Sequence, residues 1–333
     1  MLRGWCIFVM FMALSGTAWV HAFGELTAAV VTIAGGILSV ILWILIRPPV
    51  AWRRLPWFVV AFVALATLSL LWSAWPQTTA LTLLLLWITT TQALFVGSVL
   101  TWRELVRAAA SALKWVIALS ILFELWVSVF VQAPILPGFE VAPADDPIEY
   151  WSRNNLFDGG RLQGIIIFTA LGRSADLTGR EAIWKAVLTR AAERPWFGWG
   201  YATPWVPWDP AFDGWIPDHG QTVLQAHNMW VDIRMQLGIV GVVITALVYL
   251  AFVWRSWFFA VDRPRWDLRD DRPYSAITLL PTLVGAIVLV QGLAESTPLL
   301  LWGWMFVVML GAKITQSPHV GEGPAEHSIV PGS

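Results

Sequence analysis

Residues 25–46 of the chain read ELTAAVVTIAGGILSVILWILI, a run in which Glu25 is the only charged residue. An α-helix needs about 20 apolar residues to cross the hydrocarbon core of a bilayer. Apolar runs of similar length recur along the 333-residue chain. They lie at residues 5–21, 25–46, 56–73, 79–100, 109–131, 236–254, 275–293 and 298–312. The sequence therefore predicts an all-α polytopic membrane protein with about eight transmembrane helices.

The composition excludes an ordinary soluble domain, since 57% of the residues are hydrophobic and 13% are charged. The net charge of −1 gives no electrostatic basis for binding nucleic acid, and we expect no such partner. The single cysteine, Cys6, cannot form an internal disulfide. The first apolar run also resembles a secretory signal. We interpret it as an uncleaved helix, because Trp19 and His21 are unusual beside a cleavage site.

Basic residues are distributed unevenly between the connections. The connections near residues 22–24, 74–78 and 294–297 contain no Lys or Arg. The alternate connections and the segment after the last run contain Arg47, Arg53, Arg54, Arg103, Arg107, Arg255, Arg263, Arg265, Arg269, Arg272 and Lys313. Because basic residues collect on the cytoplasmic side, we expect both termini to be cytoplasmic and residues 133–235 to lie outside.

This pattern divides the chain into four regions. We expect a five-helix membrane region at 1–132, an extracytoplasmic loop at 133–235, a three-helix membrane region at 236–312 and a disordered cytoplasmic tail at 313–333. Within the loop, residues 161–194 carry six basic and three acidic side chains, whereas the flanking parts are mainly acidic. The basic part is typical of a solvated helix face, and it would also attract an anion.

A helix is predicted at 179–193 within the loop. Thr178 and Glu181 have the spacing of a capping box, with Thr178 as the N-cap. Ile183, Val187 and Ala191 form an apolar stripe at helical spacing. We expect this amphipathic helix to lie along the outer membrane surface.

Arg180 is unusual at the start of this helix. A cation beside the positive end of the helix dipole is unfavourable unless an anion lies between them. A bound diphosphate would supply that anion, so Arg180 is a candidate binding residue.

His227 is the second candidate, since we expect it to start the helix that continues into the apolar run at 236–254. It lies at the membrane–water boundary, and its side chain can carry a proton near neutral pH. Asn228 could orient it or cap the following helix. An interfacial aromatic belt accounts for most tryptophans of the loop. Four of them, Trp199, Trp205, Trp208 and Trp215, lie in a part rich in Gly, Pro and Asp and could stack on sugar rings. Asp218, His219 and His227 match no established ligand spacing, so we expect no metal.

The motifs of the loop resemble those of the O-antigen ligase and Wzy-type O-antigen polymerase family. The resemblance covers about residues 150–250. It rests on Leu177-Thr178-Gly179-Arg180 with Ile183-Trp184, on Arg194-Pro195-Trp196-Phe197-Gly198-Trp199-Gly200, on Ala226-His227-Asn228 with Gln236-Leu237-Gly238-Ile239-Val240-Gly241, and on Gly159-Gly160-Arg161-Leu162-Gln163-Gly164. Members usually carry further spans between the motif at Gly159–Gly164 and the motif at Leu177–Arg180. The chain therefore resembles a shortened member.

This resemblance implies a GT-C-like, metal-independent, inverting glycosyltransferase of the bacterial plasma membrane. Such an enzyme transfers a glycan from undecaprenyl diphosphate to a hydroxyl of a glycan or lipid acceptor at the extracytoplasmic face, without a cofactor. His227 would correspond to the general base or acceptor-orienting group. Arg180 and Arg161 would bind the diphosphate, with Asn228, Trp184 and Trp199 as further substrate-binding residues.

Two other classes remain open at the level of sequence. A lipid-linked glycan transporter or flippase would show ionisable residues deep within its spans, where Glu124 is the one candidate. A non-catalytic glycan-assembly subunit would fit the shortened middle of the chain.

Cysteine labelling tests the predicted orientation. In a background without Cys6, cysteines at positions 145 and 213 should react with an impermeant reagent added to intact cells, and cysteines at positions 50 and 267 should not. Labelling at position 267 would reverse the orientation.

Overall fold

The structure is a computed structural model that describes residues 1–16, 18, 23–131, 177–202, 217–218, 221–222, 225–262 and 276–317. Several predicted features lie outside these residues, namely Arg161, Trp205, Trp208, Trp215, His219 and the tail beyond residue 317.

The described part of the chain folds into ten α-helices. They are α1 (Leu2–Ser15), α2 (Glu25–Ile46), α3 (Trp57–Leu68), α4 (Pro76–Val99), α5 (Trp102–Trp126), α6 (Leu177–Glu193), α7 (Met229–Gln236), α8 (Gly238–Asp262), α9 (Leu280–Gly292) and α10 (Leu301–Gln316). Short helical turns extend or join them at Trp52–Arg54, Ser69–Leu71, Val127–Val131, Ala276–Leu279 and Thr297–Leu299. Two two-residue strands, β1 (Pro217–Asp218) and β2 (Gln221–Thr222), pair antiparallel.

Each of the eight predicted apolar runs overlaps a helix of the described residues, but the helices differ in length. Among the described residues, four are long and apolar enough to cross a membrane: Leu26–Ile46, Pro76–Val99, Trp102–Phe130 and Gly238–Val261. The apolar helices at Leu2–Ser15, Trp57–Leu71 and Ile277–Gly292 are shorter. These features are those of a helical membrane protein.

The outer surface of the long helices is apolar. On α2, Leu26, Ile37, Ile44 and Leu45 are all exposed. Large apolar side chains also cover the outside of α5. A continuous apolar surface of this kind is disfavoured in water and is the natural surface of a helix in lipid.

Local sequence signals mark several helix starts. Pro76 is the first residue of α4. An N–H group at this position has no carbonyl partner within the helix, so proline, which lacks the N–H, loses no hydrogen bond there. At the start of α5, the Thr101 N–H donates to Glu104 Oε2 at 2.9 Å, and the Glu104 N–H donates to Thr101 Oγ1 at 3.4 Å. These two bonds form a reciprocal capping box.

The core lies where α4 packs against α10. Gly97 permits this contact, since a Cβ at this position would lie 2.9 Å from the carbonyl oxygen of Met309. Trp304 is buried, and its Nε1 donates to Thr90 Oγ1 at 2.9 Å. The packing therefore leaves the polar atom of this indole paired, as a buried site requires.

Contacts between helix ends define the two ends of the helical body. Gln316 Nε2 donates to the Ala51 carbonyl oxygen at 3.1 Å, Trp102 Nε1 donates to Ser317 Oγ at 3.3 Å, and Trp102 stacks on Phe259 with ring centroids 4.7 Å apart. These contacts bring together the ends of α2, α8 and α10 and the start of α5. Among the described residues, Arg47, Arg53 and Arg54 follow α2 at this end, and Arg103 and Lys313 lie near the helix ends that meet there.

Tyr201 joins the connections at the opposite end. Its N–H donates to Ser69 Oγ at 2.9 Å, and its hydroxyl donates to the Leu299 carbonyl oxygen at 3.2 Å. Burial raises the pKa of the Tyr201 hydroxyl, so it remains a proton donor in this bond. The connections α3–α4 and α9–α10, both poor in basic residues, thus meet part of the 133–235 region.

The helix is interrupted between α7 and α8, whereas the sequence predicted one continuous helix running from His227 into the span. The break falls at Gly238, which has a φ of 65°. Its left-handed backbone ends the helical run, and a methyl group there would overlap the carbonyl oxygen of Trp196. The prediction of a continuous helix was wrong, because close backbone contact with residues 195–200 replaces helical hydrogen bonds at this point.

Residues 195–200 satisfy the backbone groups that the break leaves without helical partners. The N–H groups of Trp199 and Gly200 donate to the carbonyl oxygens of Met235 and Gln236 at 3.0 and 2.9 Å. In the other direction, the Ile239 N–H donates to the Pro195 carbonyl oxygen at 2.9 Å. This clamp, defined as residues 195–200 with 235–240, fixes α6 relative to α7 and α8.

Helix α6 corresponds to the predicted amphipathic helix, but its apolar stripe is used differently. Ile183, Val187 and Ala191 are buried against Ala226 and Met235. The stripe therefore packs within the protein, whereas the sequence predicted that it would face the membrane. The helix begins at Leu177, so Thr178 lies inside the first turn and not before it as an N-cap.

We expect Gly238→Ala to destabilise the protein strongly. The alanine would need a left-handed backbone, which costs about 1–2 kcal/mol, and its methyl group would overlap the Trp196 carbonyl oxygen. The thermal unfolding temperature in detergent, followed by tryptophan fluorescence, measures the effect. Gly4→Ala is the matched control, because a Cβ there would meet no atom within 4 Å. Equal unfolding temperatures in the two variants would contradict the role of the clamp.

Candidate active site

The α9–α10 connection, residues 293–300, collects side chains from several distant segments. Arg180 Nη1 of α6 donates to the Ala294 carbonyl oxygen at 3.3 Å. Asn228 Nδ2 donates to the Leu293 carbonyl oxygen at 3.2 Å. The connection therefore brings the Arg180 motif and the His227-Asn228 motif to adjacent residues.

His227 contacts an acidic residue of the same connection. The distance between His227 Nδ1 and Glu295 Oε2 is 3.2 Å. Gln225 Nε2 donates to the same Glu295 oxygen at 3.0 Å and lies 3.2 Å from His227 Nδ1. The side chains of His227 and Glu295 are 22% and 27% exposed, so the pair is partly covered but accessible.

The backbone of His227 is unusual, with a φ of 50°. A left-handed conformation is uncommon for residues other than glycine, and the surrounding structure must hold it in place. Such strained residues cluster at functional sites. The unusual backbone therefore marks His227 independently of its motif.

Asn228, not His227, caps α7. Its Oδ1 accepts from the N–H groups of Trp230 at 2.9 Å and Val231 at 3.3 Å. Both ends of the Asn228 amide are thus used, with the oxygen on α7 and the nitrogen on Leu293. The structure assigns Asn228 the capping role that the sequence allowed, and its substrate-binding role stays a prediction.

Asp232 links the segment that carries His227 to the segment that carries Glu295. It is buried, with 1% of its surface exposed. Its Oδ1 accepts from the Ala226 N–H at 3.4 Å, and its Oδ2 accepts from the Ser296 hydroxyl. Because a buried carboxylate is stable only when hydrogen-bonded, these bonds hold the neighbours of His227 and Glu295 together.

The two candidate tryptophans make contacts within the protein. Trp184 Nε1 donates to the Ala226 carbonyl oxygen at 2.8 Å. Trp199 Nε1 donates to the Arg190 carbonyl oxygen at 2.8 Å, and its ring centroid lies 4.1 Å from the Arg194 guanidinium carbon. These contacts support packing of α6 and the clamp, and stacking on sugar stays a prediction.

A shallow cavity of about 470 Å³ opens near the clamp. Its lining comprises Trp72, Arg194, Pro195, Trp196, Phe197 and Gly198. The cavity contains neither Arg180 nor His227, so it is separate from the polar cluster on the α9–α10 connection.

Sequence reasoning did not find the partners of His227. Glu295 lies near the end of an apolar run, where a carboxylate is common, and Gln225 belongs to none of the motifs. One available signal was that Glu295 is the single charged residue in a short connection otherwise without Lys, Arg or Asp. Its pairing with His227 depends on the packing of α9 against α7 and α8.

Asn228→Ala should lower the free energy of unfolding by about 1–2 kcal/mol, because it removes the acceptor that caps α7 and the bond to Leu293. Asn228→Ser retains a capping oxygen and should be less destabilised. Thermal unfolding of both variants in detergent checks this order. If Asn228→Ser were as unstable as Asn228→Ala, the cap would not be the main contribution of Asn228.

Comparison of the chain with protein-family models, with curated proteins and with solved structures finds no match. The resemblance to the O-antigen ligase and polymerase family therefore stays a prediction that rests on the motif residues. The site itself rests on the cluster formed by Arg180, Gln225, His227 and Glu295 around one connection.

Proposed function

We propose that the chain is an integral membrane glycosyltransferase that ligates or polymerises glycans carried on undecaprenyl diphosphate. The acceptor is a hydroxyl of a glycan or a lipid. One observation carries the proposal: Arg180 and His227, which belong to separate motifs, contact Ala294 and Glu295 of one connection. A cation for a diphosphate and a base for a hydroxyl are the two groups that this transfer requires.

The reaction is an in-line displacement at the anomeric carbon of the donor. The acceptor oxygen forms a bond to this carbon while the bond from the carbon to the diphosphate oxygen breaks. The electron pair of the broken bond leaves with the diphosphate. The acceptor hydroxyl proton passes to His227, and the configuration at the anomeric carbon is inverted. Metal and cofactor have no part in this scheme.

Arg180 stabilises the departing diphosphate. It lies in the first turn of α6, where the helix dipole favours an anion. A guanidinium also presents a planar pair of donors that suits two phosphate oxygens. Arg161, outside the described residues, is the second proposed diphosphate ligand.

The proposed arrangement has eight spans in a GT-C-like order, with both termini in the cytoplasm of a bacterium and the site outside its plasma membrane. The grouping of helix ends supports this orientation, because the described basic residues of the α2–α3 connection and at the start of α5 lie at the end opposite His227. The lipid tail of the donor would lie against the apolar helix surfaces, with its diphosphate at the level of α6.

Arg180→Ala and Arg180→Lys should both reduce transfer about 10²-fold or more while the protein still inserts and folds. Lysine keeps the charge but loses the two-donor geometry. Purified protein, a defined undecaprenyl-diphosphate-linked oligosaccharide and a glycan acceptor provide the assay. Lys185→Ala is the matched control, since Lys185 is exposed on the same helix. Normal product from Arg180→Ala would remove the diphosphate-binding role.

His227→Asn tests the base. Asparagine tolerates a left-handed backbone, so the fold should be kept while the proton acceptor is lost. Turnover should fall about 10²- to 10⁴-fold, with donor binding retained. Near-native turnover in His227→Asn would end the catalytic assignment.

The same purified protein separates the alternative classes. New glycosidic product identifies a transferase, movement of the donor across vesicles without product identifies a transporter, and binding without either identifies an assembly subunit. A chelator should leave the transferase rate unchanged.

A further inference from the structure

We propose that Glu295 is a positioning residue that keeps the proton of neutral His227 on Nδ1, so that Nε2 is the nitrogen that receives the acceptor proton. This inference rests on the proposed function for its role in catalysis. The assignment of the tautomer rests on the geometry of the pair alone.

The hydrogen-bonding capacity of the groups decides the tautomer. A neutral imidazole has one donor nitrogen and one acceptor nitrogen, and an ionised carboxylate only accepts. His227 Nδ1 lies 3.2 Å from Glu295 Oε2. If Nδ1 had no proton, its lone pair would face the lone pairs of the carboxylate. The one donor that could serve an unprotonated Nδ1 among its named neighbours is the neutral amide of Gln225, whose Nε2 lies 3.2 Å away. Because a hydrogen bond to an ionised carboxylate is stronger than one from a neutral amide, Nδ1 donates to Glu295, which leaves Nε2 as the acceptor.

Gln225 does not need Nδ1 as an acceptor, although its Nε2 lies 3.2 Å from that atom, because the amide has the carboxylate as its partner. Its Nε2 donates to Glu295 Oε2 at 3.0 Å, so this oxygen accepts from both Gln225 and His227. A carboxylate oxygen has the lone pairs for two such bonds. With the amide turned around, two acceptor oxygens would face each other, so Glu295 also fixes the orientation of Gln225.

The pair is held from both sides. On the histidine side, Asn228 Nδ2 donates to the Leu293 carbonyl oxygen at 3.2 Å. On the acid side, the Ser296 hydroxyl donates to Asp232, which also accepts from the Ala226 N–H. These bonds flank His227 and Glu295 in the sequence and restrict the distance between them. Preorganisation of this kind is what a positioning residue requires.

A fixed carboxylate assists the proton transfer in two ways. It presents Nε2 without a proton before the reaction, and it stabilises the imidazolium that forms when Nε2 takes the proton of the acceptor hydroxyl. The acidic member of a Ser-His-Asp triad acts on its histidine in the same manner. Glu295 itself touches neither donor nor acceptor in this scheme.

Nitrogen NMR of the full-length protein in detergent tests the tautomer directly. The chain has five histidines, and selective ¹⁵N-histidine labelling with His227→Asn as reference identifies the signal of His227. At a pH where His227 is neutral, the wild-type signal should show a protonated Nδ1 and an unprotonated Nε2. In Glu295→Gln, whose amide can donate to Nδ1, the population should shift toward the Nε2–H form.

Gln225→Ala is the control for the amide, because it removes the second neighbour of Nδ1 while leaving the carboxylate. Its tautomer should match that of the wild type. A wild-type signal with protonated Nε2, or a Glu295→Gln signal identical to that of the wild type, would overturn the proposal. These measurements need no substrate, so they stand even if the protein proves not to be a transferase.

Turnover then measures the catalytic role. With the undecaprenyl-diphosphate-linked oligosaccharide as donor, Glu295→Gln should lower kcat about 10²-fold with the donor KM little changed. Glu295→Asp should recover part of the rate. Glu193→Gln, the same change at an exposed residue at the end of α6, should behave like the wild type. A transferase whose kcat is unaffected by Glu295→Gln would contradict the positioning role.

Discussion

The clamp between residues 195–200 and the α7–α8 break is the contact on which the candidate site depends. A helix that ends inside a protein leaves carbonyl groups without partners, and a helix that starts there leaves N–H groups without partners. The clamp satisfies part of each set, with Trp199 and Gly200 donating to the end of α7 and Pro195 accepting from the start of α8. Without it, the break would be costly in an apolar setting, and α6 would be held to α7 only by side-chain contacts such as the packing of its apolar stripe on Ala226 and Met235.

The break has a geometric consequence for the polar end of the molecule. Because α7 does not continue α8, its start can turn toward the α9–α10 connection, where His227 meets Glu295. The same clamp fixes the end of α6, whose first turn carries Arg180 to Ala294. Glycines at 198 and 238 are needed because both have positive φ angles and lie against carbonyl oxygens. The glycine-containing motifs are thus structural supports, and Arg180 and His227 are the side chains that they position.

The two ends of the helical body differ in their contacts. At one end, Gln316 and Trp102 join the α2–α3 connection, which carries Arg47, Arg53 and Arg54, to the start of α5 and the end of α10. The other end holds a hydrogen-bonded network in which Asp232 is buried and His227 and Glu295 are partly exposed. A network that is fixed by buried bonds and open at its edge suits a reaction between a membrane-bound donor and an acceptor from the water phase. This property makes the network, and not the shallow cavity at Trp72, the centre of the proposed function.

The sequence determined those features that depend on neighbouring residues. Apolar runs predicted the helices, Asn228 has the residue type of an N-cap, and the spacing of Ile183, Val187 and Ala191 predicted a stripe on α6. Only the tertiary structure decided what these features contact. The α6 stripe packs against Ala226 and Met235 inside the protein. From the sequence, the same stripe could equally face a membrane, since lipid and the protein interior are both apolar. The tertiary structure also paired His227 with Glu295, because hydrogen bonds between residues far apart in the chain depend on helix packing, which no local pattern specifies.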